Sequence, residues 1–255
     1  MPLFRPLSRW TQPVTIVVLS KYRNIFDEFA RNIDKYASHY RKVLVMDGLD
    51  ADAPMNFPGD WLPLHGPAKF SMAGNANQGW RAVQESHDIL YIGDDCKFTS
   101  RDDVKNLYDL AYSDTAIGLL SPKIIGGADN PLQTNPPNAD LVYTNRSLAL
   151  VCTYIKRAVI NKVGYLDEKT FPGTYGWEDY DFCRRVVSAG FKMAVTPRVE
   201  VIHGIERGPL DDRKMGKGTE TFFRNLDWDE SKLNEQIESN KQAYFQKWGD
   251  TKVEF

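Results

Sequence analysis

Residues 88–95 read DILYIGDD. Ile89–Ile92 is an uninterrupted apolar run with the length of a strand buried on both faces, and Gly93-Asp94-Asp95 closes it. An equivalent run lies upstream at Val14–Ser20 (VTIVVLS), followed by Phe26, Phe29, Ala30 and Ile33 at helical spacing. Val43–Met46 is another apolar run, ended by Asp47-Gly48, and Leu62–His65 has the character of a short strand. Ala76, Trp80 and Val83 share one helical face just before residue 88. Downstream, Ser100 with Asp103 forms a capping-box-like start for a helix carrying Val104, Leu107, Tyr108 and Ala111, and Ala116–Leu120 follows as a strand. This alternation predicts an α/β fold with a mostly parallel central sheet flanked by helices. Such sheets bind ligands at the carboxyl ends of their strands, where Asp47, Asp94 and Asp95 stand.

Beyond Ser121 the pattern changes. Gly126–Pro137 is rich in Gly, Pro and Asn and reads as a loop. The periodicity then predicts strands at Leu148–Ile155, Lys192–Thr196 and Val199–Ile202, and helices at Arg157–Val163 and Asp179–Ala189. Gly204–Gly218 is basic and glycine-containing, with Arg207 nearest its start, and reads either as a lid over the donor or as a solvated surface loop. A last helix from Ser231 carries Leu233, Ile237, Tyr244 and Trp248.

The 255 residues, 42% of them hydrophobic, suffice for one large domain. The expected division is an N-terminal extension over 1–13, a catalytic domain over 14–204, and a mobile loop with a C-terminal helix packed on the same domain over 205–255. A net charge of −2 gives no global field toward nucleic acid or anionic membrane. Cys96, Cys152 and Cys183 have neither disulfide-framework nor zinc spacing. With no apolar h-region in 1–13, a cytoplasmic, reducing setting is expected. The longest purely apolar run is far too short for a membrane span.

Four residues could carry chemistry. Asp94 and Asp95 repel each other at a strand end, which a hard divalent cation relieves; a solvated turn would satisfy them too. Asp179 stands three, four and seven residues before Phe182, Cys183 and Val186, so it shares the apolar stripe of its helix, either as a cap or aimed into a pocket. Asp181 faces away from that stripe and can pair with Arg185 on the surface. His203 ends the strand Val199–Ile202, where it is either a metal ligand or an ordinary polar terminus. A P-loop, GxGxxG after the first strand, GxSxG and HExxH are all missing.

Taken together, these pieces resemble the family 2 glycosyltransferases of the GT-A fold, especially the rhamnosyltransferase-like members. The likeness runs over roughly residues 14–204: the asparagine-containing segment Asn75–Gly79 with DILYIGDD, GYLDE at 164–168, GWEDYDFCR at 176–184, and the Pro197–His203 strand. YFQKWG at 244–249 adds to it. The resemblance implies transfer of a sugar from a nucleotide-sugar donor to an acceptor hydroxyl, with inversion and with Mn²⁺ or Mg²⁺. It assigns Asp179 as general base with Glu178 beside it, and Trp177 to the acceptor. It places Ser20, Asp47, Asn77, Asp94 and Arg207 at the donor, and Asp94, Asp95 and His203 at the metal. Gly93 stands where the family motif has its first acid, which leaves open which aspartate binds directly. UDP is the commonest donor nucleotide of the family, with GDP or dTDP as alternatives. The acceptor is a glycan, a lipid-linked sugar, a protein or a modified nucleic acid. Two other classes fit less of the pattern. A nucleotidyltransferase needs a glycine-rich loop after the first strand, and a non-catalytic carbohydrate-binding protein has no use for a base.

Overall fold

The computed structural model describes residues 12–20, 23–46, 60–66, 71–172, 176–204 and 230–255. Asp47, Arg207 and most of the Gly204–Gly218 loop therefore lie outside the described residues.

Nine strands form one sheet: β1 (Val14–Ser20), β2 (Arg41–Met46), β3 (Trp61–His65), β4 (Asp88–Gly93), β5 (Cys96–Phe98), β6 (Ile117–Ile125), β7 (Val142–Thr144), β8 (Cys152–Ile155) and β9 (Lys192–His203). Their order is β3-β2-β1-β4-β8-β6-β9-β5, with β7 also on β9. The first four strands are parallel, as the strand–helix alternation requires. Past β4 the sheet is mixed: β8 runs antiparallel to β4 and β6, while β6 and β9 are parallel.

Seven helices are described: α1 (Arg23–Ala37), α2 (Met72–Arg81), α3 (Asp103–Ser113), α4 (Pro131–Thr134), α5 (Arg157–Val163), α6 (Glu178–Ser188) and α7 (Glu230–Trp248). They cover the sheet on both sides. Ile16, Val18, Leu90 and Ile92 pack with Phe26, Phe29, Val104 and Leu107 of α1 and α3. Val17, Ile89 and Tyr91 point the other way, to Trp80 of α2, Val159 of α5 and Phe182 of α6. Alternate residues of each central strand thus feed two cores, which is why these strands are apolar throughout.

The α6–α7 contact differs from expectation. The Asp181–Arg185 pair exists, with Arg185 Nε donating to Asp181 Oδ2 at 2.8 Å, but it is not a surface pair. Asp181 is fully buried. Its Oδ1 accepts from Trp248 Nε1 at 2.8 Å and lies 2.7 Å from Lys247 Nζ. Arg184, one residue before Arg185, donates to both oxygens of Asp250 at 2.7 and 3.1 Å and lies 4.5 Å over the Trp248 ring. That guanidinium holds the Asp250 carboxyl down at about 2. The clamp that seats α7 on α6 is therefore ionic, and the partners of Asp181 come from a distant part of the chain.

Candidate active site

The carboxyl ends of β1 and β4 and the end of β9 meet at one place. β5 pairs antiparallel with β9 in a register that sets Cys96 opposite His203, and the Gly204 N–H donates to the Asp95 carbonyl at 3.0 Å. Asp95 is thereby brought beside His203, with Oδ2 to Nε2 at 3.4 Å. His203 Nδ1 lies 2.9 Å from the Gly127 carbonyl oxygen. A proton on Nδ1 donated to that oxygen leaves the Nε2 lone pair facing Asp95, the arrangement by which proteins orient a ligating imidazole. Asp94 turns the other way: its Oδ2 accepts from the Ser20 hydroxyl at 2.6 Å, joining the ends of β1 and β4.

Gly93 has a steric reason. A Cβ there would stand 2.8 Å from Asp95 Oδ1, so a side chain at the first motif position would displace the Asp95 carboxylate. Asp95, Cys96 and His203 together offer three ligand atoms within 4.8 Å of one another. Cys96 is the weakest of these. It is fully buried, its Sγ faces the Val151 carbonyl at 3.7 Å, and burial pushes its thiol well above the ordinary range. Carboxylate oxygen and imidazole nitrogen remain, a mixed donor pair that could hold a divalent cation.

The second half of the site is the start of α6. Glu178 is buried and Asp179 half-buried. Burial raises the Glu178 carboxyl to about 7. Burial and the neighbouring Glu178 charge push Asp179 well above the carboxylate range. Asp179 Oδ1 accepts from the Tyr180 N–H at 2.8 Å. The Tyr180 hydroxyl reaches Asp129 Oδ2 at 3.3 Å. Trp177 supports the turn with φ 72°, the sole positive value at a non-glycine among the described residues. Such a backbone costs on the order of 1 kcal/mol and is retained where surroundings enforce it. Its indole ring packs 4.8 Å from Tyr180 and 5.1 Å from Tyr244.

The two halves come together around Tyr91. The charges of Glu178, Asp94 and Asp179 all act on the buried Tyr91 hydroxyl and, after burial itself, raise its pKa. Tyr91 sits on β4, three residues before Asp94, and its sequence setting in an apolar strand carries no sign of this role. Nor did sequence reasoning single out Gly127, whose part is played by a main-chain carbonyl.

Asn77, expected at the donor, has a structural task in the fold. It is fully buried, its Nδ2 donates to the Leu166 carbonyl, and its Oδ1 accepts from the Leu166 N–H, both at 2.9 Å. The amide thus braces the GYLDE turn against α2. Asn77→Ala would strand two main-chain groups of Leu166. It is expected to cost roughly 2–4 kcal/mol, read as a lower denaturation midpoint, with nucleotide affinity of the folded protein unchanged. A loss of nucleotide affinity at unchanged stability would restore the donor role.

Neither a protein-family profile nor a curated protein sequence matches this chain. Solved structures do. GalNAc-T7, solved with UDP, GalNAc and Mn²⁺, superposes with a TM-score of 0.61 at 12% identity, over 77% of this chain and 44% of its own. S. aureus TarS 1-349 superposes with a TM-score of 0.55 at 11% identity, over 92% of this chain and 72% of its own. The fold is that of the GT-A glycosyltransferases. The chain spans less than half the length of the GalNAc-T7 chain. Among the described residues, no helix is long and apolar enough to cross a membrane.

Proposed function

We propose that this chain is a family 2-like, metal-dependent glycosyltransferase that moves a sugar from a nucleoside-diphosphate sugar to an acceptor hydroxyl with inversion. The observation that carries the reading is the gathering of two acidic groups near Tyr91: Asp94 on Ser20 with Asp95 beside His203 in one, Glu178 and Asp179 at the start of α6 in the other. The GT-A fold agrees with it, as does a neighbour solved with UDP and Mn²⁺.

Asp95 and His203 would hold Mn²⁺ or Mg²⁺, with Asp94 beside them. The ion supplies positive charge against the diphosphate that leaves. Asp94, steadied by Ser20, is assigned to the donor side. On the other side, Asp179 Oδ1 is occupied by the Tyr180 N–H, which leaves Oδ2 to take the acceptor proton. As that proton leaves, the acceptor oxygen forms its bond to the anomeric carbon, and the bond from that carbon to the diphosphate oxygen breaks. Glycoside and nucleoside diphosphate are the products. Attack from the face opposite the diphosphate inverts the centre. The desolvated Glu178–Asp179 pair keeps the base basic enough to work near neutral pH. Trp177 offers its ring to the acceptor, and Asp47 and Arg207 keep their proposed donor roles.

The test is a screen of UDP-, GDP- and dTDP-sugars for release of nucleoside diphosphate, with Mn²⁺ and with excess chelator. Metal-dependent release from one donor class is expected. No release from any donor, or release unaffected by chelator, overturns the proposal.

A further inference from the structure

The acids of α6 start from a turn that α6 itself secures only in part, through the Trp177 ring on Tyr180 and the Asp181 N–H on the Trp177 carbonyl. Gly176 has φ 92° and Trp177 φ 72°, and the Trp177 side chain makes no capping hydrogen bond. Further support comes from α7. Asn240, 3% exposed, donates from Nδ2 to the Gly176 carbonyl at 2.9 Å. Gln236 Nε2 donates to Asn240 Oδ1 at 2.9 Å, which orients the amide so that its NH₂ faces the turn. Ile237 packs over Gly176, 3.5 Å from where a Cβ would stand, and the Tyr244 ring lies against Trp177.

α7 thus touches α6 in two ways. The ionic clamp through Asp181, Arg184, Lys247, Trp248 and Asp250 lies toward the far end of α7. The Asn240 bond lies apart from that clamp and reaches the one carbonyl that precedes Trp177, Glu178 and Asp179. Gly176 is half-buried, so water can replace the amide and the fold can survive its loss. What a mobile water does not keep is the direction of the turn.

We infer that Asn240 is a positioning residue: its bond to Gly176 holds the left-handed Trp177 turn and thereby aims Glu178 and Asp179. This rests on the function proposed above. Small errors in the placement of a reacting group cost rate far more than affinity.

The experiment compares Asn240→Ala with Leu233→Ala in the full chain. Leu233 is buried on the same helix and its side chain can make no hydrogen bond to the turn, so its truncation destabilises α7 through lost packing. Asn240→Ala is expected to lower kcat by about tenfold or more, with Mn²⁺–nucleotide affinity within about twofold of the parent. Leu233→Ala is expected to match or exceed its loss of Tm and keep kcat within about twofold. A second readout needs no turnover: ¹⁹F NMR of 5-fluorotryptophan protein, with the Trp177 resonance assigned by Trp177→Phe. That resonance should shift or broaden in Asn240→Ala and stay in place in Leu233→Ala. An unmoved Trp177 resonance, or equal kcat losses in both variants, overturns the inference. If no donor is turned over, the functional reading fails while the fluorine spectrum still decides whether Asn240 holds the turn.

Discussion

Asp179→Asn will lower turnover by about 10²-fold or more while leaving donor affinity nearly unchanged, and it will raise the thermal midpoint. Asparagine keeps the shape and, through Oδ1, the hydrogen bond from the Tyr180 N–H, but it cannot take a proton. The pH profile follows from the same pair. Glu178 is raised to about 7 and Asp179 is raised by burial and by Glu178, so the pair holds a proton in the range where ordinary carboxyls are ionised. Turnover should fall as pH drops into the range where the pair takes up its proton, which burial sets above that of ordinary carboxyls, because the protonated pair no longer offers a base. Stability runs the opposite way. A carboxyl with an ordinary value of 4.5 that folds to about 7 binds more protons in the folded state between those values. Stability is therefore lost as pH rises through that window and stays lost above it. At pH 8, Asp179→Asn or Glu178→Gln removes a carboxyl whose ionisation burial disfavours, and each should raise Tm by several degrees. Stopped-assay kinetics and calorimetric melting between about pH 5 and 9 read both effects. Near-normal turnover in Asp179→Asn would reduce the residue to a helix cap, and a melting point that rises with pH across the window would overturn the electrostatic reading.

Asp95→Asn is expected to weaken Mn²⁺ binding in the presence of nucleotide by about 10²-fold, and His203→Ala by about 10- to 100-fold. The two side chains meet through the β5–β9 register, and the Gly127 carbonyl orients the imidazole. Cys96→Ala is the informative control, because Cys96 shares the neighbourhood. Its thiol is buried against the Val151 carbonyl and holds its proton, so removing it should cost stability and leave metal affinity within about twofold. Titration calorimetry with Mn²⁺ and UDP separates these outcomes. Unchanged affinity in Asp95→Asn, or affinity lost in Cys96→Ala, would reassign the ligand set.

Much of the framework was legible because burial on two faces writes itself as unbroken apolar runs. Val14–Ser20 appears as a strand with the bounds expected, and the Asp179–Ala189 periodicity lands on α6 within a residue at each end. What was not legible depends on partners. β5 and β7 are three residues each and exist only because the long β9 pairs with them. β9 itself reads as two strands since Pro197 and Arg198 interrupt its apolar pattern. In the structure the chain runs on through a register shift against β6 that skips Pro197–Val199, as a bulge permits. Asp181 reads as a surface acid because its spacing to Arg185 is local, whereas Lys247 and Trp248, which bury it, come from α7.

The site divides in the same way. The sequence by itself determined that acids stand at strand ends and at a helix start, since residue type and periodicity are local properties. It left open which of Asp94 and Asp95 faces His203. Only the tertiary structure decided that Asp95 meets His203 while Asp94 meets Ser20, that Asn77 braces Leu166, and that α7 supports the Trp177 turn. Each of those outcomes turns on hydrogen-bond geometry between segments far apart in the chain, and strand register, which no local pattern specifies, sets the distances over which such bonds act.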